Sequence, residues 1–540
     1  PPPPPPPPPT AAPPTAAPPT ASPPTAAPPT FAPPTAEPPC VDTGTVLSES
    51  FNSGNRRLDA TVKGIFLEAI VEHEDHSVPD GKKMALQLEN GDLFEVDAET
   101  QEMLEPSAGT DFISGHTTLT LDATLTENTI HANRIVSAET DTEGARRNMR
   151  RLQSGVTNLK VLMVRVVLDD AATTATQSEL SDSAFGNGND PVTLKSQFAA
   201  CSYDKMIFDK ADDRSGTSIN ISNGVVEVTL PDYSSSDGDS AVNAAIGTVL
   251  ADEFGDAPQN LADHVMYCLP PGTMSGIAYA YINSWLSVYS DDWCIYLSTQ
   301  MHEIGHNLGL GHSNESGTYN DQSGMMGYSY AEDDGPLMCF NAAKVSKWNI
   351  VFREKTYSLL LLVRPFLTYF LCRHLLQSFS QSWQFGWYAD KAETYSATSG
   401  ATTTYTLGGI STYGSSDNTV LVKVNTASSD DFYINFNRQS GINSGTVEGG
   451  DQVMVIRQGD EGVGYAESEL LAKLNANGVY TIAGTDPEVR VTVNSINLSE
   501  NEAEITVTST PPPPPPPCDG SNVSIEIVPD NYPSEIAWVL

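Results

Sequence analysis

At 540 residues the chain is long enough for three or four separately cored domains of ~100–200 residues each, which excludes a single small module. Its 68 acidic against 28 basic residues give a net charge of −40, a field that repels a phosphate backbone and excludes nucleic acid as an expected partner. Of its 40 prolines, 21 lie in residues 1–39 and seven more in 511–517, so the globular part is expected between two proline-rich ends.

Residues 1–39 repeat Pro-Pro-Thr-Ala-Ala with small variations, a composition that holds an extended polyproline II rod and reads as a stalk. A glycosylated tether and an unmodified disordered linker both fit it. The chain starts at Pro1 inside this tract, and its N-terminus therefore reads as incomplete. Residues 41–145 show short alternating apolar runs, at 61–71, 84–89 and 118–122, which predict a small β domain. It ends at Arg146, Arg147, Arg150 and Arg151, read either as a processing site that frees a propeptide or as a solvated basic linker.

From 152 to 394 strands alternate with helices. Residues 160–168 form a buried-strand run, 240–254 have helical spacing behind Asp239 as a candidate N-cap, and 264–270 look like a strand. Residues 395–509 turn to Thr, Ser, Val and Gly in short strands and predict a β-sandwich. A proline linker at 510–517 precedes residues 518–540, which are too short to fold alone and resemble the truncated start of a further module. The seven cysteines show no paired-thiol motif and predict sparse disulfides. With Asn-x-Ser sequons at Asn220, Asn314, Asn497 and Asn522, they point to a secreted protein.

The chemistry concentrates in His302-Glu303-Ile304-Gly305-His306-Asn307-Leu308-Gly309-Leu310-Gly311-His312. On a helix His302 and His306 project from one face and can place two imidazoles on one metal. Gly309 lets the chain turn so that His312 returns as a third ligand, which leaves the fourth position of a Zn2+ ion open for water. Glu303, beside the first ligand, is placed as general base. Downstream, residues 323–329 have the form of a tight turn carrying Met and then Tyr and look like the Met-turn of metzincin peptidases, a resemblance that implies Met326 as hydrophobic floor, with Met325 a rival and Tyr328 a candidate oxyanion stabiliser or ligand. Asn307 and Ser313 are the nearest candidates for orienting the imidazoles. Calcium is a weaker second cation, at the acidic loop 234–239, which lacks the full spacing of a calcium loop.

Residues 302–313 and 323–329, with Cys339-Phe340-Asn341-Ala342-Ala343-Lys344 and Ser382-Trp383-Gln384-Phe385-Gly386-Trp387-Tyr388, resemble the gametolysin family of metzincin-type zinc endopeptidases. The resemblance implies an α+β fold: a peptidase domain with a mixed sheet and an active-site helix, between flanking all-β domains and Pro-rich linkers. It also implies zinc on His302, His306 and His312, Glu303 as base, Met326 in a Met-turn, and protein or glycoprotein substrates in an extracellular matrix or cell wall.

One departure is plain. In the family the segment ending at Lys344 runs almost directly into the one starting at Ser382, whereas here 345–381 intervenes, with Lys347, Arg353, Lys355, Arg364 and Arg373 against the single acid Glu354. This composition is foreign to its host and reads as a translated intron. The apolar run 357–372 is broken by Arg364 and Pro365, so stable membrane insertion is not expected. Two further readings stay open: an inactive structural or glycan-binding matrix protein on a peptidase scaffold, and a latent zymogen whose β domain covers the cleft. That β domain offers no cysteine ligand; its His73 and His76 lie in an acidic loop expected to be solvated.

Overall fold

The computed structural model describes residues 58–74, 81–105, 112–126, 128–141, 156–343, 385–426, 430–458 and 467–510. The stalk, Arg146 to Arg151, segment 345–381 and residues 511–540 lie outside them, as do His76, Cys40, Cys372, Cys518 and Asn522.

Strands β1 (Leu58–Glu72), β2 (Gly81–Leu88), β3 (Leu93–Val96), β4 (Thr117–Leu125) and β5 (Thr129–Thr140) pair in the order β1-β2-β3-β5-β4, and β4 returns to β1. The result is a closed five-stranded barrel with one short helix, α1 (Ala98–Leu104), between β3 and β4, an OB-type connectivity. Asp97 caps α1 by accepting from the Thr100 amide. Closure leaves the barrel its own core, with Val62, Phe66, Leu86, Leu119 and Ile130 inside.

β1 is longer than the barrel needs. Its first half pairs with β4, from Leu58↔Leu125 to Ile65↔Thr118; its last four residues run past β4 and take another strand (below) on that side, while Ala69, Ile70 and Val71 stay paired with β2 on the other. The alternation of side chains makes this possible: Val62 and Phe66 fill the barrel, whereas Leu67, Ala69 and Val71 on the opposite face join a second core.

That second core belongs to a mixed sheet. β6 (Thr157–Leu168) is a near-continuous apolar run, the pattern of a parallel strand covered on both faces. Helices α2 (Gln177–Phe185) and α3 (Leu194–Ser202) follow, then β7 (Met206–Lys210), the short pair β8 (Arg214–Ser215) and β9 (Asn220–Ile221), and β10 (Val225–Leu230). After α4 (Gly238–Phe254) come β11 (His264–Leu269), β12 (Ala278–Tyr281) and β13 (Leu286–Ser290), and then helix α5 (Leu297–Asn307). β10, β6, β11 and β13 run parallel; β12 is antiparallel to β13 and accepts the end of β1 on its other side. The sheet therefore runs without a break from the peptidase strands into the barrel.

Val242, Ile246, Leu250 and Phe254, four residues apart on α4, cover one face of this sheet, and α2, α3 and α5 cover the other. The capping residue of α4 differs from the one expected: the N-cap is Asp237, and the Asp239 carboxylate instead accepts from Lys83 of β2 at 2.8 Å and from the Tyr279 hydroxyl at 2.8 Å. Disulfides join Cys201 to Cys339 and Cys268 to Cys294, consistent with sparse pairing among the described cysteines.

Beyond it, β14 (Ser313–Asn314), β15 (Ala392–Ser396), β16 (Thr402–Gly408), β17 (Leu421–Asn425), β18 (Asp431–Asn437), β19 (Gln452–Gln458), β20 (Ser468–Leu474), β21 (Val479–Ile482), β22 (Glu488–Asn497) and β23 (Glu502–Thr510) make a six-stranded and a four-stranded sheet. The two pack face to face over Leu407, Val424, Ile434, Val455, Val491 and Ile505. The other face of the larger sheet covers Ala342 and Ala343 with Tyr433, Met454 and Ile456. Asn220 and Asn497 are exposed, while the Asn314 amide donates to Glu467.

Candidate metal centre

Helix α5 is buried over its whole length, with Leu297, Met301 and Ile304 in the core and the histidines on another face. It stops where Gly309 adopts φ 88°, a left-handed conformation; a Cβ there would also stand 2.3 Å from Asn283 Oδ1. The turn carries the chain back to His312, whose carbonyl accepts from the Ser468 amide of the sandwich at 2.9 Å.

The three imidazoles converge. His302 Nε2 and His306 Nε2 are 3.1 Å apart, as are His306 Nε2 and His312 Nε2. His302 Nδ1 donates to the Met325 carbonyl at 2.9 Å and His306 Nδ1 to the Leu310 carbonyl at 2.8 Å. Backbone carbonyls thus orient these two rings. Asn307 instead donates to the Tyr281 and Leu286 carbonyls, and Ser313 Oγ accepts from Asn341. Burial pushes the His306 imidazolium down and that of His312 down to about 3, so both rings favour the neutral form.

A fourth group completes the cluster, and it comes from the barrel. Glu72, the last residue of β1, places Oε1 2.5 Å from His302 Nε2, 3.3 Å from His312 Nε2 and 3.5 Å from His306 Nε2. Burial works to raise its carboxyl, but the charge of His302 and hydrogen bonds from the three imidazoles override that and hold it well below the usual carboxylate range. His73, its neighbour, is half-buried and is not among the residues grouped around the site.

These atoms fit a metal. A tetrahedral ion with bonds of ~2.0–2.1 Å sets its ligands about 3.3 Å apart, close to four of these five separations, which run from 3.1 to 3.5 Å, with the 2.5 Å contact of Glu72 and His302 as the exception. With Nδ1 of His302 and His306 turned to carbonyls, the three Nε2 atoms and Glu72 Oε1 face one point, an arrangement that a cation resolves. Glu303, fully buried, has both carboxylate oxygens without a hydrogen-bond partner. Burial and the nearby Glu72 charge push its carboxyl well above the usual range.

Met326 Sδ packs 2.5 Å from where a Cβ on Gly305 would stand, between His302 and His306 on the helix, while Met325 contributes its carbonyl to His302. Tyr328 is half-buried and its ring lies tilted against Tyr330, 4.7 Å between centroids. Tyr319 lies against the histidines, its ring 4.3 Å from His312 and 6.2 Å from His302. Neither Glu72 nor Tyr319 carried a sequence signal that could single it out.

The loop 234–239 spends its acids on protein donors: Asp237 takes Ser234, and Asp239 takes Lys83 and Tyr279. Among the described residues the other group close enough for a cation is Asp190 with Asp333 and Asp334, which are partly or fully exposed.

A buried three-histidine cluster with an unpartnered glutamate, on a helix under a mixed sheet, is the site class of a metal-dependent hydrolase. Residues 159–350 match the family model described as Gametolysin peptidase M11, which supports the resemblance carried by the histidine motif. No curated protein and no solved structure matches the chain. Among the described residues no helix is long and apolar enough to cross a membrane.

Proposed function

We propose that the protein is a secreted zinc endopeptidase acting on glycoproteins of an extracellular matrix or cell wall. The observation that carries the reading is the convergence of His302, His306 and His312 beside a buried glutamate with no other partner. A zinc ion held by the three imidazoles would supply a Lewis acid for the scissile carbonyl and acidify water. Glu303 then takes the proton of the attacking water and delivers it to the leaving amine. A retained scaffold with no activity would have no use for a buried, unpaired carboxylate, which costs stability.

The barrel is read as a propeptide and the arginines at 146–151 as its processing site. The decisive assay is hydrolysis of a denatured protein by the full chain, before and after trypsin nicking with the trypsin then inhibited, beside Glu303→Ala and a chelated sample. Turnover abolished by both controls is expected. Turnover that survives them, or none in any form, overturns the reading.

A further inference from the structure

Strand β1 does two things at once. It delivers Glu72 to the histidine cluster, and it pairs antiparallel with β12 through Ala69↔Tyr281, Ile70↔Ala280, Val71↔Tyr279 and Glu72↔Ala278. β12 is antiparallel in an otherwise parallel stack, so without β1 its outer edge would present unpaired amides and carbonyls beside the site. An extended peptide adds to such an edge by main-chain hydrogen bonds. β1 therefore sits where an extended chain laid along β12 would sit, and its final side chain takes the position that three protein ligands leave open.

The seating is close. The Ile277 amide donates to the Glu72 carbonyl and the Ile282 amide to the Glu68 carbonyl, both at 2.8 Å. A Cβ on Gly276 would lie 2.4 Å from the Glu72 carbonyl oxygen, so β1 can dock only because residue 276 is glycine. Ser114 of the barrel clasps the same edge, accepting from the Glu68 amide and donating to the Ile282 carbonyl at 2.6 Å. Away from the edge, Lys83 bridges Glu95 of the barrel to Asp239 of α4 at 2.9 and 2.8 Å.

We infer that Glu72 is a displaceable fourth ligand and β1 an internal substitute for substrate, which together hold the cleft shut. The inference rests on the metal-centre reading above. A permanent four-ligand site would be structural and would leave no task for Glu303; a ligand carried by a separate barrel, on a strand that borrows a binding edge, can be withdrawn. While the barrel is tethered, Glu72 competes as an intramolecular ligand, at an effective concentration no free peptide matches.

The experiment uses the full chain loaded with Co2+ as a spectroscopic probe and titrated with acetohydroxamate, a bidentate ligand for an open metal position. A site closed in 99 of 100 molecules weakens the apparent affinity of a competing ligand about 100-fold. Glu72→Ala is therefore expected to bind the hydroxamate about 100-fold tighter than the parent, with a changed Co2+ absorption band before the hydroxamate is added. Gly276→Ala, which leaves Glu72 in place and pushes on its backbone, is expected to shift in the same direction and to speed hydrogen exchange at 278–281. Equal hydroxamate affinity and an unchanged band in parent and variants overturn this inference while leaving the metal centre standing. Failure of the parent and both variants to take up Co2+ overturns the metal-centre reading, and this one with it.

Discussion

Met326 Sδ occupies the space beside Gly305 so fully that a Cβ on residue 305 would lie 2.5 Å from it. The helix that carries two ligands and the turn beneath them fit because one position between His302 and His306 has no side chain. Phe340 closes the same space, with its ring edge 3.4 Å from that position.

Gly305→Ala is therefore expected to overpack the floor. Ala favours the helix, but a contact this short must push Met326 aside, and overpacking of this kind costs about 1–3 kcal/mol. Thermal unfolding of the metal-loaded protein checks it: Tm falls, and metal affinity falls with it. An unchanged Tm would show that Met326 swings away freely and is not the floor.

Glu303→Gln keeps the shape of the buried side chain and removes its capacity to take a proton. Turnover is expected to fall by on the order of 10^2–10^4, the usual worth of a positioned base. Because Glu303 lies outside the four-residue cluster, the metal-to-protein ratio should stay that of the parent. A variant that loses its metal would make Glu303 a ligand instead.

The convergence of His302, His306 and His312 was legible because its geometry is local. Spacings of four and six residues around a helix and a glycine turn place three imidazoles without any reference to the rest of the chain. Glu72 was illegible because it ends a strand far away in sequence, and period-two alternation says only that a side chain points to one face. Met325 and Met326 could not be separated, since adjacent residues in a turn differ only in direction. The orienting partners of His302 and His306 are carbonyls, which leave no mark in sequence. Barrel closure was hidden as well: five alternating strands read alike whether β4 returns to β1 or not.

Asn341 ties three parts together. Its amide donates to Ser313 Oγ at 3.0 Å, Asp321 at 2.8 Å and Ser468 Oγ at 3.1 Å, next to the third ligand and at the edge of the sandwich. Asn341→Ala removes the donor to Asp321 Oδ2 and leaves that buried carboxylate held only by Ser323 through Oδ1, a loss of about 1–3 kcal/mol. Denaturant unfolding is expected to show it, together with weaker metal binding through looser positioning of His312. Full stability in the variant would mean that the sandwich does not brace the site.

Removal of metal has its own signature. A ligand that binds only the folded state stabilises it by about 2.7 kcal/mol when present at 100 times its Kd. Chelation should therefore lower Tm, and Zn2+ should restore it. His306→Ala should start at a low Tm and respond to neither treatment; a response equal to the parent's would place the ion elsewhere.

Deletion of 345–381 is expected to leave the fold intact. Phe340, from before the segment, lies 5.9 Å from Phe385, from after it; Phe385 stacks at 4.7 Å on Trp387, and Trp387 meets Phe198 of α3 at 6.4 Å. The aromatic cluster thus draws together the two ends that the family joins almost directly. A connection about ten times shorter costs about 2 kcal/mol less to close, so the deleted form should melt at or above the temperature of the parent. Calorimetry of the two side by side decides it. A deletion that unfolds the protein, or that separates Phe340 from Phe385, would make 345–381 part of the structure rather than an intrusion into it.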